Sequence, residues 1–111
     1  MSAAPNIDAT LAALADPIRR RAVELIGAQP RPAGDLAAAL DLPAPAMSRH
    51  LRILKQGGLV EETHPEYDAR VRIYSLKSGA MDALKTWLAE TEEMWAGQLA
   101  AFKSHIEMRK P

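Results

Sequence analysis

The apolar periodicity of this chain changes character at one point, and that change limits the folds open to it. Up to Gln56, Gly57 and Gly58, hydrophobic residues recur every three or four positions, as they do on the buried side of helices. Directly after come "LVEETH" and "RVRIYSL", β-rich runs of six or seven residues joined by "PEYDA", whose proline and aspartate suit a loop. Beyond Leu76 the helical spacing resumes and continues almost to the end. With 111 residues the chain has room for one modest core. The expectation is a single domain over residues 1–111, mostly α, with about five helices and a two-stranded antiparallel hairpin.

The helices have recognisable ends. "NIDATLAALADP" is a short helix with Ile7, Leu11 and Leu14 on one face, stopped by Pro17. Asp16 and Pro17 then open a second helix over about 17–27. The carboxylate can accept from free N–H groups, and proline's missing donor costs nothing at the first helical position. Ile18, Ala22, Leu25 and Ile26 should face inward. "AQPRPAG" is a Pro/Gly loop, and "GDLAAALDL" is a third, short helix with Leu36 and Leu40 inward and Asp35 in its first turn. After "DLPAP" a fourth helix runs over about 44–57. Helix, short turn, helix is the helix-turn-helix layout. Ser78 is expected to open the last helix, whose apolar positions Met81, Leu84, Leu88, Trp95, Leu99, Phe102 and Ile106 fall at steps of three, four and seven.

Charge is distributed unevenly. Fourteen basic and fourteen acidic residues cancel, but residues 45–77 hold six cations against four acids, while each flanking third holds four against five. The surplus is sharpest in "PAMSRHLRILKQGGLV", where Arg49, Arg52 and Lys55 have no acid among them. At about 100° per residue, Met47, Leu51 and Leu54 share an inward sector. Ser48, Arg49, Arg52 and Gln56 lie opposite, with Lys55 toward one edge. Guanidiniums, a hydroxyl and an amide are groups that read base edges in a major groove, and lysine neutralises phosphate. A basic outer face alone is commonly just a solvated surface. Here it sits on the second helix of a helix-turn-helix, followed by a hairpin whose far strand carries Arg70 and Arg72, which is the order of a winged helix-turn-helix.

Each candidate has a plainer reading. His50, at the border of the apolar sector, is either a packed, hydrogen-bonded residue or a phosphate contact. Arg70 and Arg72 are either solvated wing cations or DNA contacts. Arg19, Arg20 and Arg21 are read as structural, with Arg20 able to pair with Glu24 four residues on. His64 is read as a surface residue.

Several stretches together resemble the ArsR-type winged helix-turn-helix repressors: "LADPIRRRAVELI", "GDLAAALDL", "PAMSRHLRILKQGGLV" and "RVRIYSL", covering roughly residues 7–77 in order. The resemblance implies a homodimeric, operator-binding repressor with Ser48, Arg49 and His50 where such proteins touch DNA. Two departures stand out. Members commonly have a serine and then a polar residue ahead of the proline of the reading helix, and here Pro43 and Ala44 occupy those positions. Metal-sensing members carry paired cysteines in the first helix of the motif, and this chain has none. The terminal helix offers only His105, with Glu107 pointing elsewhere, so no metal and no cofactor are expected. The tryptophan-bearing terminal helix resembles a metal-free branch often encoded beside lipid-binding-type proteins.

A terminal helix of about 30 residues would be roughly 45 Å long, against a radius of gyration near 13 Å for a domain of this size. Its apolar stripe therefore needs a partner surface. The expected dimer interface is Leu88, Trp95, Leu99, Phe102 and Ile106, with Leu11 and Leu14 of the first helix contributing. The alternatives are a helix that bends back on its own core, or a ligand lined by Trp87, Met94 and Trp95. The expected partners are an inverted-repeat double-stranded DNA operator, a second copy, and an unidentified small-molecule effector. The competing function is a protein-interaction module that presents the same basic face to an acidic partner. Catalysis is not expected, because no glycine-rich phosphate loop, paired nucleophile or convergent acid pair is legible. Apolar runs fall short of the roughly 18 residues of a membrane span, and "MSAAPNIDATL" lacks a charged segment followed by an apolar core. A soluble, cytoplasmic protein is expected.

Overall fold

The computed structural model describes residues 6–109; the first five residues of the "MSAAPNIDATL" stretch lie outside them. The chain divides into two compact units at Met81/Asp82. The first contains helices α1 (Ile7–Leu14) and α2 (Pro17–Ala28), strand β1 (Arg31–Pro32), helices α3 (Ala33–Ala39) and α4 (Ala44–Gln56), and strands β2 (Val60–Thr63) and β3 (Ile73–Leu76). The second is a single helix, α5 (Asp82–Arg109). This is the winged helix-turn-helix fold expected from the sequence, with three differences in its elements.

The sheet has three strands, ordered β1-β3-β2 and antiparallel throughout. Part of the "AQPRPAG" loop forms the third strand: Arg31 sits opposite Tyr74 and Pro32 opposite Ile73. A proline is tolerated there because β1 is an edge strand, whose outer side needs no donor. The wing loop is longer than the hairpin reading allowed. β3 begins at Ile73, so Arg70 and Arg72 precede it, in a loop shaped by the Val71 N–H donating to the Asp68 carbonyl at 3.2 Å. Finally, α5 opens at Asp82 rather than Ser78. Residues 78–81 form a turn in which Gly79 takes φ +73, a left-handed conformation that cannot continue a helix.

The core of the first unit is built from the inward sectors of the four helices and the sheet. Ala13, Ala22, Ile26, Leu36, Met47, Leu51, Leu54, Leu59, Val60 and Tyr74 are all buried. Asp16 caps α2 as expected, its Oδ1 accepting from the Ile18 N–H at 2.7 Å and the Arg19 N–H at 3.3 Å. α1 turns differently from the stripe expected of it. Thr10 and Ala13 are its buried residues, Leu14 packs against the core from its edge, and Leu11 is exposed.

The close packing of α1 on the exit of α4 explains that rotation. The Thr10 hydroxyl donates to the Gly57 carbonyl at 2.8 Å, in a buried hydrogen bond. A Cβ at Gly57 would lie 3.0 Å from the Ala13 Cβ and 3.1 Å from the Ala9 carbonyl oxygen. Small residues on both sides let the two backbones meet there, which places the C-terminal end of α4.

Candidate nucleic-acid interface

α4 is amphipathic in the sense the wheel predicted. Met47, Leu51 and Leu54 are buried, while Arg49, Arg52, Lys55 and Gln56 are exposed, and Ser48 and His50 are half-buried at the two borders. Its N-terminus has no side-chain cap, since Pro43 stands at the capping position. Among the described residues neither Arg49 nor Arg52 has a hydrogen-bond or carboxylate partner, so the centre of the outward face is two free guanidiniums and an amide.

The borders of α4 are held by arginines from elsewhere in the fold. On one side, Arg72 donates from Nη2 to the Ser48 Oγ at 3.0 Å, and its Cζ stands 6.0 Å from the centre of the Tyr74 ring. On the other side, Arg19 of α2 places Nη1 3.2 Å from His50 Nδ1. The same guanidinium donates to the Ala13 carbonyl at 2.7 Å and the Ala12 carbonyl at 3.2 Å, while Arg20 donates to the Leu14 carbonyl at 2.7 Å. The last carbonyls of α1, which have no partners inside their own helix, are thus satisfied by two side chains of the next helix. The expected Arg20–Glu24 pair is not what forms, because the α1 carbonyls offer the nearer acceptors. The structural reading of Arg19 and Arg20 holds, with partners that the sequence did not disclose.

Lys55 is engaged. Its Nζ donates to Glu62 Oε1 on β2 at 3.0 Å, and the Tyr74 hydroxyl donates to Glu62 Oε2 at 2.9 Å. These hydrogen bonds, from Lys55 and then Tyr74, hold the Glu62 carboxyl below its ordinary range. Burial, and secondly the neighbouring Glu62, pushes the Tyr74 phenol up to about 12. Arg70 is exposed and pairs with Asp68 at 3.2 Å, a contact inside the wing loop that contributes little to stability. His64 hydrogen-bonds the Val71 carbonyl through Nδ1 at 3.0 Å and is otherwise exposed, as a surface residue would be. A cleft of about 370 Å³ lies between the start of α3, α4 and the wing loop, and Met47, Ser48, Arg70 and Arg72 are among its lining residues.

In α5, Leu88, Trp95, Leu99, Phe102 and Ile106 are between 42% and 67% exposed in the single chain, and Trp87 and Met94 are similarly open. Together with Leu84 the five span a sector of about 60° on a helical wheel, so they form a continuous stripe along the helix. Leu14, grouped with them from the sequence, packs against the core of the first unit, whereas Leu11 is 40% exposed. No helix among the described residues is long and apolar enough to cross a membrane.

Comparison with known proteins bears directly on this geometry. A family model described as a helix-turn-helix domain matches residues 14–63, from the end of α1 through β2. The HTH-type transcriptional regulator Rv2034 of Mycobacterium tuberculosis is 32% identical over 107 residues, covering 96% of this chain and 94% of that protein. An ArsR-like transcriptional regulator from Rhodococcus sp. RHA1 superposes with a TM-score of 0.80 at 26% identity, over 94% of this chain and 93% of the other. This chain belongs to the ArsR family. The transcriptional repressor SdpR of Bacillus subtilis is a further relative, 29% identical over 76 residues, or 68% of this chain and 81% of that protein. As an ArsR-family member the protein is a DNA-binding transcriptional regulator, and α4 is the second helix of its helix-turn-helix. In this ArsR-family chain α4 starts at a proline without a side-chain cap, and arginines are bonded to both of its borders.

Proposed function

We propose that this protein is a sequence-specific repressor that acts as a homodimer on an inverted-repeat operator, with α4 in the major groove and the wing loop along the flanking backbone. The observation that carries this reading is the outward face of α4, where Arg49 and Arg52 are exposed and unpaired among the described residues while Met47, Leu51 and Leu54 anchor the opposite face in the core. An arginine fork matches guanine O6 and N7 with two parallel bonds. The B. subtilis relative, named a transcriptional repressor, supports the direction of regulation.

The dimer is supported by the α5 stripe. Five large apolar side chains along one flank of a helix are costly in water, and covering each is worth about 1.5–3 kcal/mol. A twofold partner presents two reading helices to successive major grooves, which is why the operator should be an inverted repeat. Ser48, His50, Arg70 and Arg72 then flank the reading residues. Lys55 contributes less to phosphate binding than its sequence position suggested, because Glu62 already holds it.

The test is a mobility-shift titration on the DNA upstream of the protein's own coding sequence, against scrambled DNA of equal length. Arg49→Ala and Arg52→Ala should each weaken operator binding by about 1–3 kcal/mol, relax base preference, and leave the melting temperature unchanged. If both variants bind and discriminate like the wild type, the assignment of reading residues is wrong. If the wild type shows no preference at all, the basic face serves another partner.

A further inference from the structure

We propose that Arg19 sets the hydrogen-bond polarity of one border of α4, making His50 an obligatory donor, and that Arg72 biases Ser48 toward donating at the other, both toward an acceptor-rich surface such as phosphate oxygens. The proposal rests on the reading that α4 meets DNA, and it concerns residues that do not themselves contact DNA through these bonds. Arg19 and Arg72 are positioning residues.

Imidazole and hydroxyl groups are ambivalent: each can donate and each can accept. A guanidinium has only donors. At 3.2 Å from Arg19 Nη1, the His50 Nδ1 must therefore accept, which puts the ring's proton on Nε2. At 3.0 Å from Arg72 Nη2, the Ser48 Oγ accepts in the same way, which leaves its O–H to donate elsewhere. Among the described residues neither His50 Nε2 nor the Ser48 O–H has a protein acceptor. Both residues are half-buried. The two clamps come from different elements, α2 and the wing loop, on opposite borders of the same helix; Arg19 fills the only acceptor of the imidazole, while Arg72 fills one of the two lone pairs of the hydroxyl and so favours donation without requiring it.

Arg19 is well placed for the task. Its side chain is only 14% exposed, and its bonds to the Ala12 and Ala13 carbonyls, with Asp16 Oδ2 at 3.9 Å, fix the guanidinium plane. A guanidinium restrained on that side cannot follow the imidazole if the imidazole turns. The ring's orientation is thus set by the end of α1. A surface that offered donors to these borders would meet the His50 N–H with a donor of its own, whereas a phosphodiester offers only acceptors at its charged oxygens.

The experiment uses the full-length protein and its own upstream DNA. Imidazole nitrogen shifts, which distinguish the two neutral tautomers from each other and from the cation, should show His50 protonated at Nε2 and bare at Nδ1. His50→Gln, whose amide can accept from Arg19 and still donate outward, should bind within about 2-fold of wild type. His50→Leu should lose about 2- to 12-fold per half-site, the range of one neutral hydrogen bond. Arg19→Met should lose a similar factor, and the Arg19→Met/His50→Leu double variant should lose no more than His50→Leu alone. Because Arg19→Met also removes two carbonyl partners from α1, its folding is checked by circular dichroism. If it does not fold, the His50 pair and the nitrogen shifts decide the matter. A ring protonated at Nδ1, or His50→Leu binding like wild type, overturns the proposal, as do Arg19 and His50 losses that simply add. A wild type without operator preference overturns the DNA reading itself, an outcome distinct from any of these.

Discussion

Gly57→Ala tests how α4 is seated. The residue has φ −76 and ψ 0, a conformation alanine adopts freely, so the backbone alone would favour the substitution by about 0.4–1 kcal/mol through a less disordered unfolded chain. Space decides otherwise. The new methyl would lie 3.0 Å from the Ala13 Cβ, 3.1 Å from the Ala9 carbonyl oxygen and 3.4 Å from the Ile53 carbonyl oxygen. These are backbone or backbone-attached atoms, and Ala13 is fully buried, so α1 must retreat bodily. Overpacking of this kind costs about 1–3 kcal/mol. The retreat also stretches the 2.8 Å bond from Thr10 to the Gly57 carbonyl. The net expectation is a loss of about 1–2 kcal/mol, or roughly 4–16 °C in melting temperature for a unit of this size. Gly58→Ala is the control. It has φ +74 and nothing within 4 Å, so it should cost about 1 kcal/mol through backbone strain alone, without moving α1. Thermal melts followed by circular dichroism measure both, and operator titration well below the transition shows whether α1's displacement reaches the Arg19 clamp. If Gly57→Ala melts at or above wild type, the helices are not packed as closely as described.

Two further outcomes follow from features of the site and of α5. Glu62 has a folded pKa below its ordinary 4.5, so its contribution is full above that value and fades as pH falls; Tyr74 is raised from 10.0 to about 12, so its contribution is full below pH 10.0 and fades on the alkaline side. Denaturation against pH should show both limbs, with Glu62→Gln flattening the acid one, and an unchanged acid limb would remove Glu62 as its cause. Trp95→Glu should weaken self-association by about 3–6 kcal/mol, one lost burial in each of two protomers, seen by sedimentation as a shift to monomer; an unaltered dimer would place the interface elsewhere.

The parts of the fold that could be read from sequence are those whose signals are local. Asp16 and Pro17 mark the start of α2 because cap and first-turn chemistry involve adjacent residues, and the α4 wheel works because burial repeats at a fixed angle. β1 escaped because two residues carry no period, and its partner Tyr74 lies more than forty positions away. The start of α5 was misplaced because Ser78 is a good cap in isolation, whereas Gly79's left-handed turn is visible only in the backbone. At the site, the exposed arginines of α4 were legible and their restraints were not. Arg19 and His50 are 31 positions apart, Arg72 and Ser48 are 24, and only the fold brings them together. The one available hint was Arg19's place on the first turn of α2, just past the end of α1, where α1's free carbonyls must find donors.

The uncovered stripe of α5 also bears on how such a regulator would answer to its own abundance. If pairing of two chains completes the DNA-binding unit, then at low copy number the amount of competent species rises with the square of protomer concentration. Binding to its own upstream DNA would then close a feedback loop steeper than a monomer could produce. Halving synthesis would thin the active population fourfold, a sensitivity that originates in a row of leucines and aromatics far along the chain from any base pair.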